Sequence, residues 1–295
     1  MQKKEWNLID FHAKFTEEYM QWCLQHQQQL QKDETDTDDL YYEMYEAWLD
    51  QEKEWLGGAS PRGYFADMQE APMLVSAFME YILQEMEVPD PLIERLVQEK
   101  NAVYPIFLNI LMEQPCAQED EEISEEELRE VRAQIISLIG EMHKPHPYIR
   151  YIQLLREQQE DTALAEELTE ALMEVCAAYM PQLKEAYGSA EGSARMAFLD
   201  LFSRMKGEEE AYSLLMDELK KPEADIAFLA NCLGRLGDVR AVEALRELLY
   251  RPEIQYYEFK EVKNAIEELS GEEIEEMDFP GDPLYDYLKG EYESE

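Results

Sequence analysis

The sequence predicts an all-α protein, and within that class an α-solenoid of stacked antiparallel helix pairs with an N-terminal aromatic helical cap. Helix-forming Leu, Glu, Ala, Met and Gln dominate the 295 residues, only 12 glycines are present, and runs of alternating β-branched residues are absent. The apolar positions of the segment 226–236 recur 33 residues later, where Ile226, Leu229, Cys232, Leu233 and Leu236 correspond to Phe259, Val262, Ala265, Ile266 and Leu269. A helix pair repeated at this spacing cannot bury its apolar face alone, so it stacks on its neighbours.

Residues 1–68 are predicted to form the N-terminal helical cap. The segment 5–30 is predicted to form a helix with one face made of Leu8, Phe11, Phe15, Tyr19, Trp22 and His26. A second helix, capped by Asp36, Thr37 or Asp38, is predicted to end at Gly57-Gly58 and to carry Tyr41, Met44, Tyr45, Trp48 and Trp55. Ser60 followed by Pro61 then predicts the start of a third helix, because serine is a favoured N-cap and proline is favoured at the first helical position.

Residues 69–271 are predicted to form the helical repeats. The expected helices are Met73–Met86, Asp90–Lys100, Ala102–Met112, one that follows the acidic run 119–127 and carries Leu128 to Leu138, Tyr148–Glu157, and Thr162–Met180. Prolines 89, 91, 105 and 181 are expected to end or kink helices, and the Gly-Ser-rich stretch 187–193 is the best internal boundary. Three units of 31 to 33 residues follow, with Gly207, Gly237 or Gly271 near each turn.

Residues 272–295 are predicted to be an acidic C-terminal tail. Between residues 264 and 295 there are twelve acidic residues and one basic residue, Lys289. The tail also holds apolar side chains that can dock on the last repeat: Met277, Phe279, Leu284, Tyr285 and Leu288.

The charge balance of the chain limits its partners. The sequence has 26 Lys plus Arg against 67 Asp plus Glu, which gives a formal net charge of −41. Such a field repels nucleic-acid backbones and anionic membranes and favours basic partners. With no Lys/Arg cluster to form a basic patch, we expect a basic protein partner, no direct nucleic-acid binding and no membrane binding.

The N-terminus and the cysteines favour a cytoplasmic location. The first ten residues contain no apolar core of a signal peptide, and no apolar run approaches membrane-spanning length. Cys23, Cys116, Cys176 and Cys232 lie far apart, which predicts free thiols in a reducing compartment rather than disulfides or a metal site.

The segment Gly234–Leu245, G-R-L-G-D-V-R-A-V-E-A-L, resembles the phycobilisome-lyase type of HEAT-like repeat. In that type an L-G-x-L-G-D turn precedes an A-V-x-x-L helix, and the matching residues here are Leu233, Gly234, Leu236, Gly237, Asp238, Ala241, Val242 and Leu245. The match covers about one repeat; residues 195–220 and 253–269 fit its spacing but not its residue pattern. The resemblance implies an elongated, curved helical stack that mainly holds other proteins. Some members of the wider class act on chromophores or alkylated DNA, and the latter use a basic groove from which this acidic chain departs.

Catalytic, cofactor and metal motifs are not found, so no catalytic residue, cofactor or metal is predicted. The sequence lacks phosphate-binding glycine loops, H-E-x-x-H and G-x-S-x-G. His143 and His146 flank a probable turn, while His12 and His26 lie among aromatic residues that favour a packing role. The acidic runs lack the glycine and final glutamate of an EF-hand loop, and the glutamate pairs lack an E-x-x-H companion.

The aromatic residues of the first 68 positions supply a candidate interaction surface. All four tryptophans, Trp6, Trp22, Trp48 and Trp55, precede residue 56. Aromatic residues at helical spacing are usually core, but a small cap has little volume for four indoles, so one or two can remain exposed as a binding patch. We therefore single out Trp48, Trp55, Arg62 and Tyr64, although every residue of the glycine-rich turn also has a local capping or turning role.

Three functions remain open from the sequence. The leading hypothesis is a non-enzymatic interaction scaffold or adaptor whose acidic surface binds a basic partner. The second is an acidic inhibitor or immunity-type protein that mimics nucleic acid with rows of carboxylates. The third is a HEAT-like lyase or glycosylase-type enzyme with a site in the groove near Trp48, Trp55 and Arg62.

Overall fold

The computed structural model describes residues 6–26, 37–112 and 123–289, and these residues form α-helices, two short 3₁₀ turns and loops, with no strand among them. The helices are α1 Phe11–Gln25, α2 Thr37–Leu49, α3 Pro61–Ala66, α4 Ala71–Leu83, α5 Asp90–Gln98, α6 Lys100–Met112, α7 Glu125–Glu141, α8 Tyr148–Arg156, α9 Ala163–Met173, α10 Met180–Tyr187, α11 Gly192–Ser203, α12 Glu209–Leu219, α13 Ile226–Leu236, α14 Ala241–Leu249, α15 Tyr256–Ser270 and α16 Pro283–Lys289. The prediction of an all-α protein is confirmed.

The chain divides into two compact units, residues 1–147 and residues 148–295. The boundaries predicted at residues 68 and 271 stay predictions. Within the described ranges, no helix combines the length and the apolar character that crossing a membrane requires.

Aromatic side chains form the core of the N-terminal part of unit 1. Phe11 and Phe15 on α1 are both 1 % exposed. The ring of Phe11 contacts the rings of Trp55, Tyr64 and Phe65, and that of Phe15 contacts those of Tyr19, Tyr41, Tyr45 and Trp48. Phe11, Phe15, Trp48 and Phe65 are therefore core, whereas Tyr42 and Trp55 are exposed.

The second helix is shorter than predicted. It ends at Leu49, and Trp55 lies in a separate 3₁₀ turn, Glu54–Leu56, which Gly57 ends at φ +69°. The loop closes on itself, because the Lys53 N–H donates to the Ala59 carbonyl and the Gly58 N–H donates to the Lys53 carbonyl. The Lys53 ammonium lies 2.8 Å from Glu18 Oε2 and 4.6 Å from the centre of a Trp48 ring. Glu18, which is distant in sequence, thus stabilises this loop through its contact with Lys53. The residues proposed as the N-cap of the helix lie outside the described side chains.

The predicted start signal at Ser60-Pro61 is confirmed, and the helix expected after the acidic run also begins with a local cap that the sequence analysis did not identify. The Ser60 hydroxyl accepts a hydrogen bond from the Gly63 N–H at 3.1 Å, and Pro61 is the first residue of α3. Ser124 and Glu127 form a reciprocal capping box at the start of α7, with distances of 2.8 and 3.2 Å. Pro105, however, neither ends nor begins a helix but lies inside α6, where it removes a single hydrogen bond near the N-terminus.

In unit 2, α9, α11, α13 and α15 contact one another in succession. Helix α12 contacts both α11 and α13, α8 contacts α9, α10 and α11, and α14 contacts α15. The single helix predicted over 162–180 is interrupted, because α9 ends at Met173 and a 3₁₀ turn, Cys176–Tyr179, precedes α10. Pro181 lies in the first turn of α10, so it begins a helix instead of ending one.

The apolar positions related by the 33-residue offset are mostly buried. Leu229, Cys232, Leu233 and Leu236 on α13 are at most 3 % exposed, as are their counterparts Phe259, Val262, Ala265 and Ile266 on α15. Ile226 and Leu269 are half-buried. A Cβ atom at Gly234 would lie 3.4 Å from Ala265 Cα, so the glycine allows α13 and α15 to approach closely.

Part of the C-terminal tail docks on α15. The Phe279 ring centre lies 5.1 Å from that of Phe259, and Tyr285, 7 % exposed, lies 5.1 Å from Tyr256. Lys263 Nζ donates to Glu276 Oε1 at 2.6 Å. The other apolar residues expected to dock remain exposed: Met277, Leu284 and Leu288.

Candidate functional site

The four residues of the predicted interaction surface have different environments in unit 1. Trp48 is 3 % exposed, so its indole is core and is not accessible to a partner. Trp55 is 41 % exposed, although it contacts the rings of Trp48 and Phe11. Of these two tryptophans, only Trp55 has the exposed indole that the sequence analysis expected.

Arg62 and Tyr64 use their polar atoms within unit 1. Arg62 Nε lies 3.2 Å from Asp50 Oδ1, and the guanidinium also pairs with Glu46 and Glu94, which joins α3 to α2 and α5. The Tyr64 hydroxyl accepts from the Asn7 N–H at 2.8 Å and donates to the Asn7 carbonyl at 2.9 Å. These contacts join separate segments of unit 1 and engage the polar atoms of both side chains.

Unit 2 contains a groove that the sequence did not reveal. It encloses about 600 Å³ between α9, α11 and α13. Its apolar lining comes from Ala165, Met173, Met196, Ala197 and Phe228. The remaining lining is polar: Asp161, Glu166, Thr169, Glu170, Ser193 and Asp200. We call this set of residues the unit 2 groove.

Three carboxylates of the unit 2 groove are free of basic partners. Asp161, Glu166 and Glu170 are exposed, and none of them forms an ion pair or side-chain hydrogen bond with another residue in the part of the chain that the structure describes. The neighbouring Glu167 is half-buried, and burial together with the charges of Glu170 and Glu166 raises its pKa. This edge of α9 is therefore strongly negative and uncompensated.

The fourth carboxylate of the groove is neutralised. Asp200 accepts a hydrogen bond from Arg204 Nε at 3.1 Å and is also paired with Arg235. Arg235 in addition donates to Asn231 Oδ1 at 2.8 Å. The negative charge of the groove thus lies on the α9 side, and two arginines lie at the Asp200 end.

The two hydroxyl groups of the unit 2 groove already donate their hydrogens to backbone carbonyls. Thr169 Oγ1 donates to the Ala165 carbonyl at 2.7 Å, and Ser193 Oγ donates to the Gln158 carbonyl at 3.5 Å. The free polar groups of the groove are therefore acceptors. Such a site favours a ligand that brings hydrogen-bond donors and positive charge, together with apolar surface for the methionines and Phe228.

A signal for the groove does exist in the sequence. On α9 the buried residues Leu164, Leu168 and Leu172 define one face, and Glu166, Glu170 and Met173 follow another at intervals of four and three residues. Met173 adds an apolar side chain to this otherwise acidic face. Which helix lies opposite that face depends on long-range packing, and this is why the groove was missed.

Groups that could support chemistry are few. No set of three or more His, Cys, Asp or Glu side chains in the described ranges is arranged to hold a metal ion. Burial raises the pKa of the Cys232 thiol to about 12 and also raises that of Cys176, so both thiols are protonated at neutral pH. Cys23, Cys176 and Cys232 are free cysteines, and Cys116 lies outside the described residues. Burial lowers the pKa of His146.

Comparison of the chain with protein-family models, with curated proteins and with solved structures found no match.

Proposed function

We propose that the protein is a non-enzymatic interaction protein of the HEAT-like helical-repeat type, which binds a basic segment of a partner protein in the unit 2 groove. The observation that carries the proposal is the set of three unpaired carboxylates beside an apolar floor. In a chain of net charge −41, electrostatic attraction increases the association rate with basic partners and disfavours acidic competitors.

The solenoid arrangement belongs to the same proposal. The succession of contacts from α9 through α11 and α13 to α15 supports it, because each helix touches the next of its kind. The burial of equivalent positions on α13 and α15 also supports it. A groove between successive helices is the kind of surface on which repeat proteins bind their partners.

Affinity capture tests the proposed function. The full chain is immobilised, incubated with a native lysate and washed with salt from about 0.05 to about 0.5 M, a range over which the screening length falls severalfold. We expect the retained proteins to include a basic one that is released as salt increases. Retention of no basic protein at the lowest salt concentration would contradict the proposal.

The two other functions stay predictions. A nucleic-acid mimic presents rows of charge, whereas the unit 2 groove combines carboxylates with methionine and phenylalanine side chains. A lyase or glycosylase-type site near Trp48, Trp55 and Arg62 would need free polar groups, but Arg62 is engaged by three carboxylates. The groove therefore favours the scaffold function over both.

A further inference from the structure

We infer that the segment bound in the unit 2 groove is an amphipathic α-helix that carries cationic side chains one turn apart beside large apolar ones. This inference rests on the proposed function and specifies the partner of the same site. It follows from the hydrogen-bonding capacity of the groove, from the spacing of its carboxylates and from its apolar lining.

The hydrogen-bonding capacity of the groove favours a helical ligand over one that binds by strand addition. An extended peptide needs donors for its carbonyl groups, usually from the edge of a sheet, and the described residues contain no strand. The hydroxyl hydrogens of Thr169 and Ser193 are already donated, and the Phe228 N–H is bonded to Asp225 Oδ1 at 3.0 Å. A helix satisfies its own backbone groups, so it can lie against the apolar floor without leaving carbonyls unpaired.

The carboxylate spacing matches a helical ligand. Glu166 and Glu170 are four residues apart on α9, which places them about 6 Å from each other on one face. Lysine or arginine residues separated by three or four positions on a partner helix have the same spacing. Met173 continues the same stripe, so the charged contact passes into an apolar one along α9.

The groove accommodates side chains rather than a whole helix. Its volume of about 600 Å³ is too small for a cylinder of about 10–12 Å in diameter over several turns, so the partner lies along the opening and inserts its apolar side chains. Methionines suit this role because their flexible, polarisable side chains adapt to different apolar shapes. Arg204 and Arg235 at the Asp200 end repel cations, which directs the basic residues of the partner to the α9 side.

Two synthetic peptides test the inference with the full chain. The first is a fluorescent peptide of about 18 residues, five helical turns, with Lys at positions i and i+4 and a Leu/Phe face; the second has the same composition in scrambled order. Binding is measured by fluorescence anisotropy at physiological salt, and peptide helicity by circular dichroism. We expect the first peptide to bind at least about tenfold more tightly than the second and to become helical on binding.

Matched variants locate the binding site. Glu166→Gln/Glu170→Gln removes the two groove charges, and Glu243→Gln/Glu247→Gln removes two exposed charges with the same spacing on α14. We expect the groove variant to weaken binding of the helical peptide at least about tenfold, and the control variant to change it less than about twofold. Met196→Gln is expected to weaken it with no change in net charge. Circular dichroism and the thermal midpoint establish that each variant is folded.

The outcomes distinguish a failure of this inference from a failure of the proposed function. Equal binding of the two peptides, or equal weakening by both double variants, overturns the inference. If neither peptide binds while the native chain still retains a basic protein from lysate, the helical partner is overturned and the proposed function stands. If the lysate also yields no basic protein, the proposed function is overturned with it.

Discussion

Two glutamates of unit 2 show how the surroundings of a single residue decide the effect of its charge. Burial alone would raise the pKa of Glu218, but hydrogen bonds from Lys221, Tyr187 and Arg195 outweigh it and lower the pKa. Glu167 lacks such donors, and burial with the nearby charges of Glu170 and Glu166 raises its pKa. The charged carboxylate of Glu218 therefore stabilises the fold at neutral pH, whereas that of Glu167 destabilises it.

Replacing Glu218 by Gln is expected to lower the free energy of unfolding at neutral pH by about 1–3 kcal/mol, because the charged donors around it lose their partner. The pKa of Glu218 is lower in the folded state, so its contribution is present above the unfolded-state value of 4.5 and is lost as pH falls through the folded-state value. Urea unfolding at several pH values measures this. Asp217→Asn, at an exposed neighbour whose side chain is 74 % accessible, serves as the control and should have little effect. Equal destabilisation by the two substitutions would contradict the prediction.

Replacing Glu167 by Gln is expected to raise the free energy of unfolding at neutral pH. A raised folded-state pKa means that stability is lost as pH rises through that value, so the native carboxylate is unfavourable at neutral pH. The variant should be more stable by roughly 0.2–0.5 kcal/mol, the usual cost of a like-charge pair on a helix, and the gain should disappear below the unfolded-state pKa. Thermal unfolding as a function of pH measures it, with Glu185→Gln as the control, because Glu185 is exposed and has no acidic residue three or four positions away. A loss of stability at neutral pH would refute this reasoning.

At the scale of helices and turns, the sequence predicted those features that depend on a few consecutive residues. The Ser60-Pro61 start and the glycine turn at 237 are local, and the structure contains both. The Ser124 to Glu127 capping box is equally local but was not predicted. The sequence did not predict the end of α2 at Leu49, after which the loop contacts α1 through Lys53 and the distant Glu18. The break after Met173 and the unit 2 groove were missed for the same reason, because both depend on which helices pack together.

The turn between α13 and α14 provides a test at this scale. Gly237 ends α13 with φ +78°, a conformation that is unfavourable for a residue with a Cβ atom. We expect Gly237→Ala to lower the free energy of unfolding by about 1–2 kcal/mol. Gly188→Ala, at a helix end with φ −57° and only ordinary contacts for an added Cβ, is the matched control and should be neutral or slightly stabilising. Equal effects of the two changes on chemical denaturation would contradict the expectation.

At the scale of the whole molecule, the proposed function gives the net charge of −41 and the unit 2 groove different roles: the charge would set the association rate of a basic partner, and the groove would set how long it stays bound. Composition alone predicted the sign of the charge and the class of partner. The placement of the site could not follow from composition, because 67 acidic residues make every acidic run look alike. Only the structure distinguishes paired carboxylates, such as Asp200, from unpaired ones, such as Glu170.

These two proposed roles, of the net charge and of the groove, predict different effects on the association and dissociation rate constants. For the helical peptide described above, increasing salt should lower the association rate constant for both the native chain and Glu166→Gln/Glu170→Gln, because the overall field remains. The groove variant should differ mainly in a faster dissociation rate constant at every salt concentration. Stopped-flow fluorescence measures both constants. A variant with native dissociation and slower association would show that the two carboxylates act only through the general field.

The placement of the tryptophans has a consequence for spectroscopy. All four lie in unit 1, where Trp48 is buried beside the Lys53 ammonium and Trp22 stacks on His26 at 4.3 Å between ring centres. Unit 2 contains none, although it holds many of the helices. Indole emission therefore reports the melting of residues 1–147 alone, while far-ultraviolet circular dichroism records both units. A single purified sample thus carries a built-in optical label that distinguishes independent melting of the two units from one shared transition.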